Sequence, residues 1–217
     1  ALKLKYPFVT GVFREVYYSF DKTRILDSDQ LTWPINNFDT FQELKTGGGL
    51  FVINKESWYS QDGMDPIFRR NEDLDFSLRM ARSGTHLRRY DAVMAIHNTV
   101  SYLEGRKFRE LLDEKIYHYS GLLLRKHLFS LLFISYFLRA HISLVIFILA
   151  IVLSSQFSLI FLFFYLITLA LKGFKGKSSH SPIAMIMLSR FYHDILIIWS
   201  FFTFWPQKPD YILEKLK

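Results

Sequence analysis

The run Asn71-Glu72-Asp73-Leu74-Asp75 puts three carboxylates into five residues at the head of a segment with helical spacing. Leu74, Leu78 and Ala81 recur at helix intervals, Asn71 is a favourable N-cap and Gly84 a favourable stop. Glu72 and Asp73 then fall in the first turn, where free N–H groups and the helix dipole favour negative charge. Two readings of these acids stand side by side. One is a capped helix whose acids suit its dipole. The other is a carboxylate held ionised and facing a cleft, ready to take a proton from a hydroxyl. Asp75 and Arg79, four apart, are expected to form an exposed ion pair on the same helix.

The surrounding elements must position these groups. Val9 to Tyr18 and Leu50 to Ile53 read as strands from their aliphatic and aromatic content. The alternation of Leu2 and Leu4 with Lys3 and Lys5 suggests a strand already under way. Gly47-Gly48-Gly49 stands just before the second strand and lets backbone or ligand approach closely. It matches neither phosphate-loop pattern, GxxxxGK[ST] or GxGxxG. Lys55 to Trp58 reads as a short helix, followed by a turn at Gly63-Met64-Asp65. Leu87 to Tyr90 and Ala92 to Ile96 read as two strands or strand ends, the second delivering His97, which is either a structural residue or a ligand.

Composition divides the chain. The sequence has 217 residues, 22 of them Phe, with 50% hydrophobic content, a formal net charge of +7 and no cysteine. Disulfides and thiolate metal sites are thereby excluded. Residues 1–107 mix charged, aromatic and turn residues as a water-facing domain does. Residues 108–127 read as amphipathic, either an interfacial helix or an ordinary domain-closing one. Residues 128–217 carry a long apolar block, in which only Arg139 is charged between Leu128 and Leu171. That block is long enough for a two-pass hairpin with its tip at Ser154-Ser155-Gln156 and a short second arm from Phe157. A third apolar segment from Pro182 to Trp205 either spans or lies in the interface, with Arg190 and Asp194 spaced to pair. Basic residues at Arg125-Lys126 and Lys172 to Lys177 flank the hairpin, so the positive-inside tendency puts both ends on the cytoplasmic side. The basic residues are otherwise scattered and no nucleic-acid motif occurs, so a nucleic-acid partner is not expected.

The order of these features resembles the family 2 glycosyltransferases. Gly47 to Glu56 looks like the glycine-led strand of that family, and Gly63-Met64-Asp65 like the turn that follows it. Asn71 to Arg79 with Gly84 looks like its acidic motif and helix, and Tyr90-Asp91-Ala92-Val93 leading to His97 like its closing strand. The resemblance covers roughly residues 45–126. It implies an α/β fold, the C-terminal part of a Rossmann-like GT-A domain, followed by a helical membrane region. It implies an inverting enzyme of the cytoplasmic membrane, multi-pass and with its catalytic part facing the cytoplasm. Such an enzyme moves a sugar from a nucleotide-sugar donor to a lipid-linked or glycan acceptor. Asp73 matches the catalytic base, Glu72, Gly48 and Gly49 line the substrate path, and His97 matches a ligand of a divalent metal, Mg²⁺ or Mn²⁺. Asp27-Ser28-Asp29 mimics the family's metal-binding Asp-x-Asp, but its short distance to Asp73 favours a polar loop. The chain begins at Ala1, not Met, and reads as a piece of a longer protein whose donor half lies elsewhere. A non-catalytic membrane anchor or scaffold subunit with a transferase-like domain is the alternative expectation.

Overall fold

A computed structural model describes residues 6–35, 40–44, 47, 49–100, 105–153, 155–175 and 183–207. The expectations at Leu2 to Lys5, Gly48, Ser154, Lys177 and Pro182 lie outside them. The fold is mixed α/β, a five-stranded sheet joined to a set of apolar helices. Strand β1 (Phe8–Tyr18) is the spine of the sheet. Its first six residues are all buried, as befits a strand covered on both faces. Along one edge β1 pairs in parallel with β5 (Leu87–Val100). Along the other it pairs antiparallel first with β4 (Phe51–Ile53) and then with β2 (Ile25–Leu31). Strand β3 (Phe41–Leu44) completes the sheet beyond β5.

Two local readings change. Asp27-Ser28-Asp29 lies within β2, not in a loop, and Asp27 accepts a hydrogen bond from Gln30 Nε2 at 2.7 Å. The two strand pieces on either side of Asp91 are one continuous strand, β5. Register shifts between Gly11 and Phe13 absorb extra residues of β5 as bulges. Asp91 is buried there, with Arg89 Nη2 at 3.3 Å and its amide donating to Thr40 at 2.8 Å.

Helix α1 (Lys55–Tyr59) is capped by the Asn54 side chain, which accepts from Ser57 N–H at 2.8 Å. Helix α2 (Glu72–Arg82) is the acidic helix, and it is buried on two sides. Phe76 and Met80 pack on the sheet with Phe8 and Leu87, while Leu74 and Leu78 pack with Phe68, Tyr119, Leu122, Leu123 and Phe133. The second cluster ties the sheet domain to the helices that follow, across the composition boundaries at 107 and 127. Gly84, at φ 86, closes α2 as expected.

The expected amphipathic helix over 108–127 is two helices, α3 (Gly105–Asp113) and α4 (Tyr119–His127), joined by a 3-10 turn over Ile116–His118. Lys115, at φ 56 in the left-handed region, interrupts the helical path. Buried Tyr119, Leu122 and Leu123 make α4 a domain-closing element.

The apolar block also departs from a simple hairpin. Its first arm is two short helices, α5 (Leu131–Ala140) and α6 (Ile142–Val152), bent by 88° at His141. No Pro or Gly causes the bend. The carbonyl of Ala140 freed there accepts from Lys172 Nζ at 3.1 Å, which removes the cost of an unsatisfied group in apolar surroundings. Helix α7 (Ser155–Lys175) is longer than the arm expected from Phe157, and α8 (Ile183–Thr203) forms the third segment. Both are long and apolar enough to cross a membrane, which marks a membrane protein. Asp194 and Arg190 do not pair: Asp194 is buried and accepts from Tyr165 Oη at 3.3 Å, whereas Arg190 is exposed.

Helices α4 and α8 touch closely at Gly121. A Cβ there would sit 2.7 Å from both the Ile197 carbonyl oxygen and the Phe201 nitrogen, which are backbone atoms with little room to retreat. Gly121→Ala is therefore expected to destabilise the fold by about 1–3 kcal/mol, the usual cost of overpacking. Thermal unfolding in detergent measures it, and an unchanged midpoint would show that α8 does not rest on α4.

Candidate functional site

A cleft of about 860 Å³ opens where β1 and β5 end and α2 begins. Glu72 and Asp73, on the first turn of α2, form one wall. Tyr18, Phe20 and Lys22 from the end of β1 and its turn form another, with Asn98, Thr99 and Val100 of β5. Helix α3 and the 3-10 turn close the remaining side with Lys107, Glu110, Leu111, Glu114 and Ile116. Arg69 and Arg70 complete the lining, so both signs of charge are present. Arg69 faces Glu114 at 3.9 Å across exposed ground, and the Arg70 guanidinium lies 5.1 Å from the centre of the Tyr117 ring.

Of the predicted residues, Glu72, Asp73 and Gly49 meet at the first turn of α2. Asp73 Oδ2 accepts from the Gly49 amide, and Oδ1 accepts from the Leu74 amide at 2.7 Å. The neighbouring Gly47 amide donates to Ser77 Oγ of the same helix at 3.2 Å. Gly47 and Gly49 thus lie against the acidic helix, as their lack of side chains permits. Gly49 has φ 94, and a Cβ there would stand 3.0 Å from the Phe13 ring. Gly49→Ala is expected to cost about 1 kcal/mol or more in stability from the left-handed backbone alone. It should also shift the amide away from Asp73, measurable as a lower unfolding midpoint. Stability equal to the parent's would argue against this backbone geometry.

Asn71 occupies the N-cap position but not by N-cap chemistry. It sits in the left-handed region at φ 64 with no cap hydrogen bond, and its Nδ2 donates to Ser120 Oγ at 3.4 Å. Ser120 in turn meets His193 Nε2 of α8 at 3.1 Å. The residue ahead of Glu72 and Asp73 is therefore connected to a membrane-region helix. Nothing in the local sequence announces that link.

Asp75 is not the exposed partner its spacing suggested. It is fully buried and receives Arg79 Nε at 2.9 Å, Lys126 Nζ at 2.8 Å and His127 Nε2 at 2.8 Å. Arg79 also donates to the carbonyls of Gln61 and, at 2.6 Å, Gly63. His127 Nδ1 takes a hydrogen bond from Arg82, which can only donate, so the ring proton sits on Nε2 and points at Asp75. Burial by itself would raise the Asp75 pKa. The hydrogen bonds from His127 and Lys126, with the charges of Lys126 and Arg79, outweigh it and hold the group at about 2. Burial also lowers the pKa of His127, against the pull of Asp75. Arg125 and Lys126 accordingly fasten elements together, the first half-buried and the second from the surface. Arg125 donates to the Phe201 and Phe204 carbonyls at 2.6 and 2.7 Å, and its guanidinium lies 3.7 Å from the centre of the Trp205 ring.

His97 does not line the cleft. Its Nδ1 lies 3.9 Å from Glu15 Oε1, and Glu15 also accepts from the Tyr17 hydroxyl. His97 and Thr99, two residues apart on β5, share a sheet face, so the pair stands beside the cleft's β5 wall. Among the described residues no group of three His, Asp or Glu side chains gathers. One imidazole and one carboxylate fit a hard cation only if a substrate's phosphate oxygens supply most of its ligands, a common arrangement for Mg²⁺.

The sequence signals the cleft wall from Asn98 to Val100 only faintly. The polar pair Asn98-Thr99 after an apolar strand was its only trace in the sequence. Comparison with protein-family models, with curated proteins and with solved structures finds no match. The resemblance to family 2 glycosyltransferases therefore rests on motif order and spacing.

Proposed function

We propose that this chain is the acceptor-side part of an inverting glycosyltransferase acting at the cytoplasmic face of a membrane. The observation that carries the reading is Asp73. Its carboxylate stands on the first turn of α2, in the wall of the cleft, and is braced by the glycine segment. Each carboxylate oxygen still has a lone pair beyond the amide it accepts, so Asp73 can receive the proton of an acceptor hydroxyl. That hydroxyl then attacks the anomeric carbon of a nucleotide-linked sugar as the diphosphate leaves from the opposite face, which inverts the centre. Glu72 orients the acceptor, and Gly48 and Gly49 are the positions that the family resemblance sets along the sugar path. Lys22, Arg69, Arg70 and Lys107 line the same cleft and suit the charge of a diphosphate. His97 and Glu15 would contribute to holding a divalent cation, which would neutralise the leaving group. A lipid-linked or glycan acceptor fits a site attached to apolar helices, where a lipid carrier is held close to the base.

A second reading has its own observation. Both oxygens of Asp73 already accept backbone amides, which is also what a purely structural carboxylate does. In that case the domain is a scaffold or membrane anchor for a partner. Transfer of radiolabelled sugar by the full-length protein, parent against Asp73→Asn, separates the two. Loss of transfer with donor binding retained supports the enzyme; turnover at the parent rate removes Asp73 from the role of base.

A further inference from the structure

Helices α7 and α8 have 21 residues each, about 31 Å of helix, against a hydrocarbon core about 30 Å thick. Length alone would let either cross. Their contacts point elsewhere. Helix α6 has only 11 residues, about 16 Å, between the bend at His141 and the turn that leads into α7. Helix α7 runs back antiparallel to it. The rings of Phe147 and Tyr165 are 4.9 Å apart, and Lys172 Nζ reaches Ala140 O and Ser143 Oγ, both at 3.1 Å. The turn near Leu153 therefore reaches only about half a hydrocarbon thickness beyond the level of the bend.

Helix α8 packs on the hairpin no deeper than about its middle, where the Phe191 ring lies 6.2 Å from Phe147 and 6.4 Å from Tyr165. Its start lies against Gly173, where an added Cβ would meet Ile183 at 3.0 Å and Met187 at 3.2 Å. At its middle, the His193 ring is 5.5 Å from His141, and its Nε2 is 3.1 Å from Ser120 Oγ. Its last turn is gripped by Arg125 through the Phe201 and Phe204 carbonyls. The last turn is held to α4, which belongs to the core shared with α2, and the start is held to Gly173, next to the Lys172 that reaches the bend, so neither end of α8 is free to stand on the far side of a bilayer from the cleft.

The distribution of charge agrees. No residue from Ile142 to Leu171 is charged. Arg125 and Lys172 touch α8 or the bend, and Arg139 lies one residue before Ala140. The Trp205 ring stacks with Arg125. Spanning segments carry such basic and aromatic anchors at both interfaces; here they gather at one end. At the other end Val152 is 73% exposed and Leu159 72%, with no charge beside them. On the near side Phe129 and Leu131 are 94% and 84% exposed at the start of α5, which bends by 88° from α6.

We infer that α6 and α7 form a hairpin inserted into a single leaflet, with α5 and α8 at the membrane surface. The described helices then bind a bilayer from one side and do not cross it. The partner surface is the acyl and headgroup region of one leaflet. This inference holds equally for an enzyme or a scaffold, so it stands apart from the transferase reading.

The test uses the absence of cysteine, since any thiol introduced into this chain is its only one. Val152→Cys reports the hairpin turn and Ser60→Cys the exposed sheet domain. Each is expressed in the full chain and treated with a membrane-impermeant maleimide in sealed membrane vesicles of both orientations. The Ser60→Cys thiol should label from one side. The Val152→Cys thiol should label from neither side until detergent is added. A fluorophore attached to it in detergent and then reconstituted should be quenched more strongly by spin labels deep in the acyl chain than by headgroup labels. Labelling of Val152→Cys from the side opposite to Ser60→Cys would overturn the inference in favour of a spanning hairpin. Labelling from the same side, or absence of quenching by the deep labels, would overturn it in favour of helices outside the bilayer.

Discussion

Replacing Asp75 with Asn should be the most destabilising single change in the chain, costing about 3–5 kcal/mol, the loss usual when one partner of a buried ion pair is removed. The reason is the number of groups that converge on this carboxylate. Arg79, Lys126 and His127 all lie within 2.9 Å of it; Lys126 would keep Asp65 at 2.8 Å, but an amide would leave the Arg79 guanidinium without its carboxylate. The loss would spread to the carbonyls of Gln61 and Gly63, which Arg79 also serves, and to α4, which carries Lys126 and His127. Thermal unfolding in detergent should show a large drop in midpoint. Should the variant fail to accumulate, the milder Lys126→Met gives the same test, since it keeps Asp75 paired with Arg79 and His127. A midpoint within a degree of the parent in both variants would show that the cluster does not hold α2 to α4.

The same cluster predicts an acid limit. The folded-state pKa of Asp75 lies near 2, below its ordinary value, so the unfolded chain binds the proton more readily. Its stabilisation, on the order of 2–3 kcal/mol, is complete above about pH 4 and is lost as the pH falls through about 2. His127 acts in the same direction. Its pKa is lowered in the fold, so its contribution is present above about 6.5 and fades as the pH falls through the folded value. A parent stability curve falling on the acid side, flattened by the Lys126→Met change, would carry both signatures.

For the proposed reaction, Asp73→Asn should lower transfer by about 10²- to 10⁴-fold, the range expected for loss of a general base. Asn keeps the shape, and its carbonyl oxygen can still accept one of the two amides that Asp73 accepts, from Gly49 and Leu74. The fold should therefore survive, with an unfolding midpoint near the parent's, and the defect should appear in turnover while donor affinity is kept. Glu72→Gln, beside it on the same wall, should instead weaken acceptor use, seen as a raised KM for acceptor. If Asp73→Asn unfolds the chain while Glu72→Gln is silent, the carboxylate is a structural brace and the scaffold reading gains.

These expectations mark where sequence and tertiary structure divide the work. Helix α2 was legible from Asn71 to Gly84 because its signals are local: spaced Leu74 and Leu78, acids in the first turn and a glycine after the last. The glycine segment, β1, β4 and α1 were legible for the same reason. The apolar character of residues 128–171 was equally plain, since composition alone decides it. The roles of individual polar groups were not. Asp75 and Lys126 are 51 positions apart, and only the packing of α4 on α2 makes them partners and turns an expected surface pair into a buried fastener. Asn71 looked like a cap and instead reaches Ser120. The bend at His141 carries no Pro or Gly to announce it, because the group that stabilises it, Lys172, arrives from another helix. Side-chain type and spacing determined that an acidic helix, a glycine-led strand and a membrane-seeking block exist. Which charges are neutralised, where the cleft opens and how deep the apolar helices reach depend on contacts between residues far apart in the chain, and only the folded arrangement sets those.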